Sequence, residues 1–82
     1  MNESIAKALL HKLFRHGYIG AKHTAIENLP KGFPKHMHKE VIKTAEKLTK
    51  KGLLTLKPTS YGIHVSLNPY RIAEIEQKIR DP

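Results

Sequence analysis

The side chains that invite a chemical reading are cationic and closely spaced. Between residues 22 and 57 stand nine lysines against Glu27, Glu40 and Glu46, a net charge of +6, while the whole chain of 82 residues carries +8. Lys39, Lys43, Lys47 and Lys50 recur every three or four residues, with His36 just ahead of them, so one helix face can collect them. The chemistry of such a row is electrostatic. It neutralises phosphate, for which nucleic acid is the commonest source and an anionic membrane surface the rarer one. No arginine lies in this segment. Lysine is a point charge, whereas guanine edges are commonly read by bidentate arginine. The expectation is strong backbone binding with modest or shape-led choice of sequence.

Other chemistries are poorly provided for. Six histidines raise the question of a metal. The closest pair, His36 and His38, points about 200° apart on a helix and cannot chelate one ion. His38 falls in the apolar sector and reads as a half-buried structural residue. His11, His16, His23 and His64 show no ligand spacing. There is no glycine-rich phosphate loop, no nucleophile elbow and no close carboxylate pair, since Glu74 and Glu76 diverge on a helix. With no cysteine, disulfides, thiolate sites and thiol nucleophiles are excluded. The expectation is a protein that is not an enzyme, with no cofactor, no metal and no evident small-molecule effector. No apolar run approaches the roughly 20 residues needed to cross a bilayer. The first residues lack the basic-then-apolar pattern of a secretion signal. A cytoplasmic, nucleoid-associated protein that does not enter the membrane is expected.

The elements that must position these side chains are legible from periodicity. Ser4 is expected to cap a first helix carrying Ile5, Ala6, Leu9, Leu10 and Leu13, with Gly17 as its stop. Tyr18–Gly20 is a small strand or an extended link. Thr24 and Glu27 form a capping box that begins a short second helix over Ala25–Leu29. Lys31-Gly32-Phe33-Pro34 is a turn, and a third helix runs from Pro34 to Lys51, ended by Gly52. The period then falls to two. Leu54 and Leu56 share one face, as do Ile63, Val65 and Leu67, with Pro58-Thr59-Ser60-Tyr61 as a hairpin loop. Asn68-Pro69 starts a closing helix whose seam is Ile72, Ile75 and Ile79. That seam needs a partner: the first helix of the same chain, or a second copy in a homodimer.

From Thr24 to Leu67 the chain resembles a winged helix-turn-helix DNA-binding domain of the small, single-domain archaeal type. The resemblance is carried by the Thr24-x-x-Glu27 box, the Gly32 turn, Val41, Ala45 and Leu48 along the long helix, the Lys51-Gly52-Leu53-Leu54 exit and the hairpin. The turn around Lys31–Pro34 is longer than in the tightest members. The fold implied is α+β and mainly helical, with three helices, a two- to three-stranded hairpin wing and an added C-terminal helix. Residues 1–82 form one domain, with the helix-turn-helix at about 24–51, the wing at about 53–67 and the last helix at about 69–80.

The resemblance further implies that the third helix enters the major groove of double-stranded DNA. At about 100° per residue from Met37, Leu48, Val41, Ala45 and Ile42 fall on its core side. Lys39, Lys50, Lys43, His36 and Lys47 fall in a strip about 80° wide on the opposite side. Lys35, His36, Lys39 and Lys43 are then expected in the groove, and Lys47 and Lys50 near phosphates. Lys57, Thr59, Ser60 and Tyr61 are expected at the wing tip, over backbone or minor groove, unless Tyr61 packs back on the hairpin. Lys22, His23 and Lys31 are further backbone candidates. The expected role is transcriptional regulation or chromatin association. Two alternatives share the fold: a protein–protein adaptor module and a binder of structured RNA.

Overall fold

In the computed structural model, which describes residues 2–81, the chain forms three α-helices and one three-stranded antiparallel sheet. The first helix, α1, spans Glu3–Arg15. Its cap is Asn2 and not Ser4. The Asn2 backbone is extended, and its Oδ1 accepts from the Ile5 N–H at 3.1 Å, which leaves Ser4 inside the first turn. The expected stop at Gly17 holds. Gly17 takes φ +72°, its N–H donates to the Phe14 carbonyl, and the Tyr18 N–H donates to that of Leu13, both at 3.0 Å. This paired closure satisfies carbonyls that the helix leaves open, and it requires a left-handed residue.

The segment after α1 departs from expectation. Tyr18–Gly20 makes only one parallel bridge, Ile19 to Leu67. The third strand is β1, Thr24–Ala25, within the residues assigned to the capping box and the second helix. Thr24 pairs with Val65 and Ala25 with His64. With Thr24 held in the sheet, its hydroxyl oxygen accepts from Asn28 Nδ2 at 2.9 Å and the capping box does not form. What remains of the second helix is one 3₁₀ turn, Ile26–Asn28. The long helix opens as a 3₁₀ turn, Lys35–Met37, and continues as α2, His38–Lys50, close to its expected span. Gly52, at φ +81°, ends it as Gly17 ends α1: Gly52 N–H donates to Thr49 O, and Leu53 N–H to Leu48 O, both at 3.0 Å.

Strands β2, Leu54–Thr59, and β3, Gly62–Leu67, form the hairpin, and the sheet order is β1-β3-β2. The loop is shorter than expected. Pro58 and Thr59 stay in register opposite Ile63 and Gly62, so only Ser60 and Tyr61 turn the chain. As an edge strand, β2 tolerates a residue with no N–H to donate. Asn68 caps the last segment by accepting from the Tyr70 N–H at 3.0 Å. A 3₁₀ turn, Pro69–Arg71, then leads into α3, Ile72–Arg80.

One core joins these elements. Ile5, Leu9, Leu10 and Leu13 of α1 meet Val41, Ala45 and Leu48 of α2, Leu54 of β2, Val65 and Leu67 of β3, and Ile75 of α3. Ile42, expected on the core side of α2, is only half-buried, while Thr44 is buried. The α3 seam faces the chain's own core: Ile75 is completely buried, and Ile72 and Ile79 pack partly buried beside it. The Lys7 ammonium donates to the Asp81 carbonyl, tying the end of α3 to α1. Leu56 and Ile63 lie on the same sheet face as Val65 but stay 37% and 40% exposed, because the hairpin runs on beyond the core.

Candidate nucleic-acid interface

The lysine row is built by α2. Burial of Val41, Thr44, Ala45 and Leu48 fixes which side of the helix faces inward. Lys39, Lys43, Lys47 and Lys50 are therefore exposed, and Lys35 and His36 extend the row from the preceding 3₁₀ turn, also exposed. Among the described residues the ion pairs within 4.0 Å are Arg71–Glu74 and Arg80–Glu76, both in the C-terminal segment. No α2 lysine therefore has a described carboxylate within 4.0 Å, although exposed Glu40 and Glu46 stand within one turn of Lys43 and Lys50. Lys39–Lys43 and Lys43–Lys47 are i,i+4 neighbours, and such like-charge pairs each cost about 0.2–0.5 kcal/mol in an isolated helix. A bound polyanion removes that repulsion. Glu40 falls in the first turn of α2, where the helix dipole favours a negative charge.

The hairpin tip presents the remaining candidates unequally. Tyr61 is 93% exposed, so it does not pack back on the strands. Lys57 and Ser60 are also exposed. Thr59 has a local role: its hydroxyl donates to the Gly62 carbonyl at 2.8 Å and accepts from the Tyr61 N–H at 3.1 Å. Lys57 lies directly across from His64 on β3. The His64 ring meets that of His23, Nδ1 to Nδ1, at 2.8 Å, so one ring donates and the other accepts. Strand pairing therefore gathers Lys57, His64 and His23 on the sheet face opposite the core. His64 was not singled out from the sequence. Its alternation with Val65 placed it outward, but nothing local showed that His23 would reach it across 41 residues.

Lys22 is exposed with its ammonium 5.6 Å from the Tyr18 ring centre, and Lys31 is exposed after the 3₁₀ turn. Lys12 carries no local signal in the sequence, being one of several cations on α1. It crosses to the loop after the 3₁₀ turn and donates to the carbonyls of Lys31 at 2.8 Å and Asn28 at 2.9 Å. Partial burial, with Lys31 and then Arg15 nearby, lowers its pKa below the ordinary lysine value. His38 is half-buried, its Nε2 3.0 Å from the Phe33 carbonyl, in the structural position its helical angle implies. Among the described residues no three His, Asp or Glu side chains gather to hold a metal, and no helix is long and apolar enough to cross a membrane. No protein-family model, curated protein or solved structure matches the chain.

Proposed function

We propose that this protein binds double-stranded DNA through α2 in a winged-helix arrangement, with the β2–β3 hairpin as the wing. Lys35, His36, Lys39 and Lys43 face the major groove, Lys47 and Lys50 approach phosphates, and Lys57, Ser60 and Tyr61 lie along the backbone or minor groove. The observation that carries this reading is the row of exposed α2 cations with no ion-pair partner among the described residues. A helix with its side chains is about 10–12 Å across, which suits a major groove about 12 Å wide. The second helix of the motif is reduced to a 3₁₀ turn, so the proposed interface is α2 plus hairpin and not a two-helix reading unit. The role is regulation of transcription or chromatin association, and a face with lysines and no arginine favours phosphate contact over base readout.

Exposed Leu56, Ile63 and Tyr61 on the hairpin favour the second reading, an adaptor that docks a protein through its wing. Titration of a labelled random-sequence duplex over a range of salt separates the two. Contact with about five phosphates gives log K falling against log salt with a slope of about −4.5. Absence of salt-sensitive duplex binding at low ionic strength overturns the DNA reading. Preference for structured RNA over duplex DNA of equal length overturns it in favour of RNA.

A further inference from the structure

Two imidazoles meet on the outer face of the sheet, where the hairpin leaves the core. His64 lies on β3, paired with Ala25 of β1 on one side and Lys57 of β2 on the other. His23 reaches it from the connection before β1. The two Nδ1 atoms stand 2.8 Å apart, with the rings edge to face and their centres 4.8 Å apart. Both residues are half-buried. Nitrogen faces nitrogen, so the contact needs a proton on one Nδ1 and a bare lone pair on the other. Neither Nε2 has a hydrogen-bond partner among the described residues, and no partnerless side-chain nitrogen there is sealed from solvent. Both Nε2 atoms are thus open to a ligand.

The count of protons decides what these open atoms can do. In the neutral pair the ring that donates through Nδ1 leaves its Nε2 bare, so one open nitrogen donates and the other accepts. An added proton settles on that bare Nε2. The Nδ1 contact survives, both Nε2 atoms become donors, and the pair carries one positive charge. A second proton would set two N–H groups against each other, so the contact admits only one. The surroundings suit an anion. Lys57 is exposed directly across from His64, and such cross-strand partners hold their Cβ atoms about 5 Å apart on one face. Lys22, beside His23, turns its ammonium to the Tyr18 ring instead. Glu27 is exposed in the 3₁₀ turn after β1, and among the described residues no carboxylate lies within 4.0 Å of either imidazole. The helices pack on the opposite face of the sheet.

We propose that His23, His64 and Lys57 form a proton-linked site for a phosphodiester of the duplex, held by Nε2–H donors of the singly protonated pair beside the lysine ammonium. This site rests on the DNA reading and extends it: duplex binding takes up a proton at the base of the wing. A bound phosphate favours the charged pair, so affinity increases as pH falls through the ordinary histidine range, near about 6.5.

Two measurements on the full-length protein test this, with EDTA present to exclude a bridging metal. Long-range ¹H–¹⁵N spectra of the imidazoles at about pH 8, above the ordinary histidine range, should show opposite tautomers for His23 and His64. A labelled duplex is then titrated at about pH 8 and about pH 6, on either side of that range, at constant ionic strength. His36→Gln is the background, because His36 in the proposed α2 interface is also ionisable. There the lower pH should tighten binding about 10-fold, an average uptake of about half a proton per protein bound. Adding His23→Gln and His64→Gln together should abolish that response while the amide spectrum stays dispersed. Lys57→Gln should weaken binding by similar factors at both pH values, since lysine carries its charge throughout this range. Matching tautomers in the two rings overturn the proposal. Equal affinity at both pH values, or a response that survives the double change, overturns the phosphate site and leaves the DNA reading in place. Absence of duplex binding by the unaltered protein at both pH values overturns the two together. If the double variant fails to fold, the imidazole spectra of the bound protein decide: duplex at about pH 7 should leave both Nε2 atoms protonated, and unchanged rings overturn the site.

Discussion

Gly52 shows how much one residue can hold. At φ +81° it occupies backbone that L side chains rarely adopt, and a Cβ there would meet Arg71 Nη1 at 2.9 Å. The guanidinium end can move, but the left-handed backbone costs about 1–2 kcal/mol for a residue with a Cβ. Gly52→Ala should therefore lower the unfolding free energy by about that amount, measured by urea denaturation. Gly17 and Gly52 were legible as stops because positive φ is a demand the sequence meets with one residue type. The start of α1 was less legible, since Asn2 and Ser4 are both good caps and only the hydrogen bond to Ile5 distinguishes them. Thr24 departs from its local pattern for a related reason. A Thr-x-x-Glu pattern is a local signal, and pairing with Val65 overrides it.

Among elements, α2 is where sequence and structure agree most closely. Its period of 3.6 placed Val41, Ala45 and Leu48 inward and the lysines outward, and burial follows that division. Exchange of Lys39 and Lys43 for Glu should weaken duplex binding steeply at low salt and reduce the salt slope by about two. Helical circular dichroism should stay unchanged, because both positions are exposed. Unaltered duplex affinity in this double variant would mean that the reading helix is misplaced. The wing was legible as a hairpin but not in extent, because alternation does not say where a hairpin outruns its core. Leu56 and Ile63 fit the inward pattern and still face solvent.

At the scale of the molecule, a Cα radius of gyration of 11.7 Å matches the roughly 12 Å of a compact chain this long. A domain this small, with no disulfide, rests on few buried side chains. Ile75 is completely buried where α3 meets the core. Ile75→Ala should cost about 2–5 kcal/mol, a large share of the roughly 5–15 kcal/mol that such domains possess. Thermal melting should show it as a clear fall in Tm.

The sequence by itself determined the positions of α1, α2, the hairpin and α3, and the concentration of charge on one helix. Repeats of 3.6 and two residues, glycine stops and lysine spacing are local properties, readable within a few residues. The tertiary structure alone decided that Thr24–Ala25 joins the sheet, that the second helix shrinks to one 3₁₀ turn, and that the α3 seam meets the chain's own core. It also decided that Lys12 reaches the Lys31 carbonyl across 19 residues. These outcomes depend on which distant segments pack together, and on a backbone group satisfying itself with whichever partner packing brings near.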